Sequence, residues 1–124
     1  MVVNDREIRF VLVDSALFDS RFTELTSRGQ KALEVVARVV RSSLGVVSVE
    51  GHTSASPPRR VVFEDNWSLS VAKAVLVVRH VVEMRAINGA NIRAVGCGEH
   101  APLADVGDRT DRRHGRIEVV IPLQ

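Results

Sequence analysis

The chain contains no tyrosine, one tryptophan, four phenylalanines and a single cysteine in its 124 residues. So few aromatics argue against a stacking surface for single-stranded nucleic acid. The basic pairs Arg59-Arg60 and Arg112-Arg113 have no aromatic residues interleaved with them. One cysteine, Cys97, excludes an intrachain disulfide and leaves the redox compartment open. No apolar run approaches the ~18 residues of a membrane span. Met1 to Arg6 lacks the apolar stretch of a signal peptide. A role outside the cytoplasm would therefore place the anchor or signal outside this chain. Net charge is only +2, with arginine spread along the sequence.

What is present is the make-up of an ordinary globular domain, 45% hydrophobic and 26% charged. The length fits one domain, with its structured core expected over about 7–123. A chain of this size buries roughly two thirds of its unfolded surface and supports its own core.

Ile8, Phe10 and Leu12 alternate with Arg9, Val11 and Val13, which predicts a strand near 7–13. Residues 14–22 read as a loop. Thr26 is a suitable N-cap, and Leu33, Val36, Ala37, Val40 and Leu44 recur at helical spacing, predicting a helix over 27–43. Lys31, Glu34, Arg38 and Arg41 form its solvated stripe, and Gly45 has the place of a C-terminal cap. A second strand is expected over 46–52. Residues 54–65 carry Ser-Pro-Pro-Arg-Arg and read as a loop, because proline removes ladder donors. The segment 66–86 is rich in valine, which propensity alone would allow as a strand. Its length of about 21 residues exceeds most strands, so a helix is predicted, capped by Asn66, with Ser70, Lys73 and His80 on a polar stripe. Asn88-Gly89 marks a turn. A third strand follows over 91–97, then a loop over 98–113, and a last strand near 115–122. The order is β-α-β-α-β-β: an α/β (α+β) two-layer sandwich with two main helices on a mixed four-stranded sheet.

Five short motifs recur in order along the chain. They are Leu17-Phe18-Asp19-Ser20 before Leu25-Thr26; Val49-Glu50-Gly51-His52-Thr53; Asn66-Trp67-Ser68-Leu69-Ser70; Arg93 to Pro102 with Gly96, Gly98 and Glu99; and His114-Gly115-Arg116-Ile117-Glu118. Together they resemble the OmpA/MotB C-terminal family, whose pattern reads Gly-His-Thr-Asp, then Asn-x-x-Leu-Ser-x-x-Arg, then Arg-x-x-Gly-x-Gly-Glu-x-x-Pro, then Asn-Arg-Arg. The resemblance spans nearly the whole chain from Glu7 onward. Asn66-Trp67 and the long loop before it look more like the MotB stator branch. The chain departs from the pattern at four places: Ser54 for Asp, Lys73 for Arg, and His114-Gly115 for Asn-Arg.

The resemblance implies a non-catalytic peptidoglycan-binding module in the periplasm, tethering a motor-like or secretion-like envelope complex to the wall. Other envelope-complex subunits are then its partners, homodimerisation is left open, and the membrane anchor lies outside this chain. It also implies a site for the diaminopimelate of the stem peptide, whose free end is a zwitterion. Thr53, Ser54, Asn66, Leu69 and Lys73 hold the matching positions. Lys73 keeps the charge of arginine without its bidentate fork, and Ser54 keeps a hydrogen-bonding group without the negative charge. Each change costs about 1 kcal/mol, or up to roughly tenfold in affinity. Glu64 and Asp65 are candidates for the missing anion, and Arg59, Arg60 and Arg116 for added cations. A second reading is a diverged docking or dimerisation domain that has lost wall binding.

Plainer readings exist for each residue. Without the motif Lys73 reads first as a solvated helix charge; His52 reads as a structural hydrogen-bonder, Cys97 as a small core residue and Trp67 as packing. A zinc site from Cys97 and His100 with His114 or His52 matches no familiar spacing, so no metal or cofactor is expected. Ser54 beside His52 lacks the Gly-x-Ser-x-Gly elbow, and no enzyme is expected.

Overall fold

The computed structural model describes residues 1–58 and 63–123. Strands β1 (Val2–Val3) and β2 (Glu7–Val13) are followed by a one-turn helix α1 (Asp14–Leu17) and by α2 (Ser27–Val40). Then come β3 (Val47–His52), α3 (Asn66–Glu83), β4 (Ile92–Gly96) and β5 (Arg116–Pro122), with 3-10 turns at Gly89–Asn91 and Arg112–His114. The sheet order is β1-β2-β5-β3-β4. Only β3 and β4 pair in parallel; the other pairs are antiparallel. Parallel neighbours need a crossover, and α3 supplies it. The last strand, β5, inserts between β2 and β3. Since both run antiparallel to it, they point the same way, and Val13 and His52 both pair with Arg116. The exits of β2 and β3 are thereby brought to one end of the sheet.

The two main helices cover one face. Leu33, Val36, Ala37 and Val40 of α2 and Ala74, Val77 and Val81 of α3 pack on Val47, Val49, Ile117, Val119 and Ile121. Gly51 permits the closest approach. A Cβ there would lie 1.9 Å from the Ser70 carbonyl oxygen, so any side chain would drive α3 off the sheet.

The two-layer mixed sandwich agrees with the sequence reading, and four details differ. A fifth strand, β1, is present; two residues are too few to leave a periodic signal. The 14–22 segment opens with α1. The α3 cap is Asp65, whose carboxylate accepts from Ser68 N at 2.8 Å, with Asn66 as the first helical residue. The helices also end early. α2 stops at Val40, so Leu44 is 83% exposed and Gly45 caps nothing. α3 stops at Glu83 because Arg85 takes the left-handed conformation (φ 58°), with Arg85 N–H bonded to Val82 O and Ala86 N–H to Val81 O. That is a Schellman ending without its usual glycine. Ser70 and Lys73, from the expected polar stripe of α3, are fully buried. No helix among the described residues is long and apolar enough to cross a membrane.

Candidate functional site

A groove of about 800 Å³ opens at the end of the sheet where β2 and β3 exit. Thr53, Ser54, Asn66 and Leu69 line it, as do Asp14, Phe18 and Phe22 from the segment after β2. Arg112, Arg113 and Gly115 come from the approach to β5. Asn66 fixes the loop leaving β3: its Nδ2 donates to Ser54 O (3.3 Å) and Ser56 O (3.1 Å). Its Oδ1 is buried and has no hydrogen-bond partner among the described residues. Four of the five residues singled out from the sequence thus share one cavity.

The fifth, Lys73, lies beneath it. Its side chain is 0% exposed and its ammonium sits 2.8 Å from Asp14 Oδ1 and 3.0 Å from Oδ2. It also donates to the His52 main-chain carbonyl and lies 5.8 Å from the Phe22 ring centroid. The expectation that Lys73 meets a ligand carboxylate directly is therefore corrected. The long side chain follows the helix face that packs on the sheet, and Asp14 closes over its tip. Burial lowers the Lys73 pKa, and Asp14 partly restores it. Burial raises the Asp14 pKa, and Lys73 opposes the rise. The groove itself presents the carboxylate of this pair.

The residues proposed as compensators divide. Arg59 and Arg60 lie outside the described residues. Asp65 caps α3 and, with Glu64, borders an adjoining depression of about 250 Å³ that also touches Asn66. Arg116 is spent elsewhere. It is 3% exposed, and its guanidinium donates to Glu118 Oε2 (2.6 Å), His114 O and Ala101 O (both 2.8 Å).

Asp14 was missed by sequence reasoning, which read 14–22 as a loop and singled out only Leu17 to Ser20 within it. Topology alone could have found it. With β2 and β3 parallel in one sheet, the residue after β2 must stand near the residues after β3.

The sheet face opposite the helices carries a separate ion-pair network. Arg9 Nη1 bonds Glu50 (3.0 Å) and Glu118 (2.9 Å), and His52 Nε2 lies 3.1 Å from Glu50. His52 is the structural hydrogen-bonder expected. Ligand atoms of Glu50, His52 and Cys97 fall within 4.8 Å of one another. Arg9 and Arg116 already balance the carboxylates there, so the chemistry is that of a charge network. Cys97 is only partly buried and belongs to this face, not to the core. Burial, then Glu50 and Glu118, raise its thiol pKa, the opposite of a reactive thiolate. The zinc set weighed from the sequence is not assembled. His114 uses both ring nitrogens on Leu103 N and Asp108 O, and His100 stacks on Trp67 at 4.9 Å.

The sequence profile of the OmpA family matches residues 17–116, a span that holds β3, the groove loop and α3. The chain belongs to the OmpA family. Motility protein B of Bacillus subtilis is 29% identical over 110 residues, covering 87% of this chain and 42% of that protein. This OmpA-family chain spans less than half the length of the curated relatives it matches. A MotB-like protein of Desulfovibrio vulgaris superposes with a TM-score of 0.83 at 27% identity, covering 97% of this chain and 78% of that one. The cell wall anchor of the type VI secretion system of Pseudomonas aeruginosa has the same fold, with a TM-score of 0.82 at 23% identity over 96% of this chain and 83% of its own. The MotB likeness drawn from Asn66-Trp67 accords with the first two.

Proposed function

We propose that this OmpA-family domain is a non-catalytic peptidoglycan-binding module that anchors an envelope complex, motor-like or secretion-like, to the bacterial cell wall. It works on the periplasmic side as part of a membrane-anchored protein. The observation that carries the reading is the groove. The residues after Gly51-His52 and those opening α3 wall a single cavity at the sheet end, with Asn66 tying the two together. The ligand is the stem peptide, entered by its diaminopimelate side chain, with Thr53, Ser54, Asn66 and Leu69 as contacts. Nothing in this role requires bond-making chemistry, and His52 beside the site is engaged structurally by Glu50.

A second reading, a docking or dimerisation domain without wall binding, is favoured by one observation. The only lysine of the motif is withheld from the groove, and Ser54 brings no charge. Co-sedimentation with purified sacculi separates the two. The wall-binding reading expects the domain in the pellet, released by excess soluble muropeptide. A domain that stays in the supernatant, with a partner subunit binding in its place, supports the docking reading.

A further inference from the structure

Residues 97–111, between β4 and the turn Arg112–His114, form neither helix nor strand, and one buried side chain closes the middle of this segment. His114 is 1% exposed. Its Nδ1 lies 3.0 Å from Leu103 N, and its Nε2 lies 2.9 Å from Asp108 O. A main-chain N–H can only donate, and a carbonyl can only accept. The two contacts therefore fix the ring. It is neutral, Nδ1 accepts, and the single proton sits on Nε2.

Leu103 and Asp108 are the two ends of a loop that tucks in Val106. Val106 N–H bonds Leu103 O at 3.2 Å, and the Val106 side chain is buried. Ala104, Asp105 and Gly107 around it are exposed. A loop with so few apolar contacts depends on its hydrogen bonds for order, and the imidazole supplies one at each end. Arg116 adds a tie further along, donating to Ala101 O and to His114 O. Charged groups surround the ring. Asp108 and Asp111 act on it from the loop and the 3-10 turn, where they attract an imidazolium. Arg116 on β5 repels one. Asp14, from the exit of β2, stands against the adjoining Gly115 and is paired with Lys73.

A second proton on the ring would go to Nδ1. Nδ1–H would then face Leu103 N–H, two donors with no acceptor between them, in a place closed to water. The start of the loop has to leave the ring. Arg112 and Arg113, which line the groove, stand on the same turn as His114.

We infer that His114 is a pH-sensitive latch. Neutral, it holds the 103–108 loop at both ends; protonated, it lets go of Leu103 and frees both the loop and the Arg112–Arg113 wall of the groove. The family pattern has asparagine at this position, whose amide offers an acceptor and a donor but does not titrate. His114 keeps the two bonds and adds a response to acid. The inference does not depend on what the groove binds.

The test is nuclear magnetic resonance on the full chain between about pH 7.5 and pH 5, the range in which histidines change charge. At the upper value the ring nitrogens should report a neutral His114 with its proton on Nε2. On acidification Nδ1 should gain a proton. Protection of the Leu103 amide against hydrogen exchange should fall about tenfold in step with it, the loss of one hydrogen bond. The amides of Val49 and Val119 in the sheet should keep their protection. His114→Asn should hold Leu103 protected at both values. A neutral ring with its proton on Nδ1 at the upper value overturns the inference. So does a ring that stays neutral at the lower value, or a Leu103 amide that stays protected after the ring is protonated. A loss of equal size in His114→Asn also overturns it, because another group would then be the source. Where His114→Asn fails to fold, the unsubstituted chain decides alone, since ring proton and Leu103 protection are read in one sample.

Discussion

At the scale of single residues, the buried pair Lys73–Asp14 governs both the groove and the stability of the domain end. Two charges removed from water are tolerated because each holds the other, and the main-chain carbonyl of His52 takes a further ammonium hydrogen. Removing one partner strands the other. Lys73→Met is expected to cost about 3 kcal/mol in urea unfolding, while Asp14→Asn/Lys73→Met recovers most of it. A double variant as unstable as the single one would mean that packing, not charge, sets the loss. Replacing Lys73 by arginine, attractive from the motif alone, should destabilise, because the site is fully buried and filled. Sequence reasoning chose the residues of the groove well but not their roles. Ser54, Asn66 and Leu69 were legible because motif spacing ties a strand exit to a helix start. The burial of Lys73 was not legible, because a lysine two turns inside a helix looks the same whether it faces solvent or sheet.

At the scale of elements, α3 is held by position more than by propensity. Its valines would suit a strand, yet the Asp65 cap, the Schellman ending at Arg85 and the packing of Ala74, Val77 and Val81 on the sheet settle it as a helix. Its N-terminal half is pressed onto β3 at Gly51. Gly51→Ala is therefore expected to destabilise by about 3 kcal/mol and to open the groove, since α3 must shift. Loss of peptide binding together with a fall in the unfolding midpoint checks this. Thr26 accepts from Gly29 N at 3.0 Å, and Thr26→Ala should cost about 1 kcal/mol with binding unchanged. The long elements could be read from apolar spacing. β1, α1 and the helix ends could not, because two-residue strands and one-turn helices carry no period. A left-handed arginine, moreover, gives no sign in the sequence.

At the scale of the whole molecule, the sheet divides two kinds of chemistry. One face carries the apolar core and the helices. The other carries the Arg9–Glu50–Glu118–Arg116 network, which links β2, β5 and β3. The His52 hydrogen bond holds the Glu50 carboxyl below its usual range, against the opposing effect of burial and with help from Arg9. A depressed folded pKa contributes stability above the unfolded value of about 4.3 and loses it as pH falls through the folded value. The acid limb of stability should therefore steepen below about pH 4.3, and Glu50→Gln should flatten it. An unchanged limb would remove Glu50 from the account.

The central claim is that the groove at the exits of β2 and β3 receives the stem peptide. Backbone amide shifts recorded during titration with a soluble diaminopimelate-containing muropeptide test it most directly. The account predicts saturable shifts at Asp14, Thr53, Ser54, Asn66 and Leu69, with Arg93 and Val95 on β4 unmoved. Shifts centred on β4 or on the network face, or none at millimolar ligand, would contradict it.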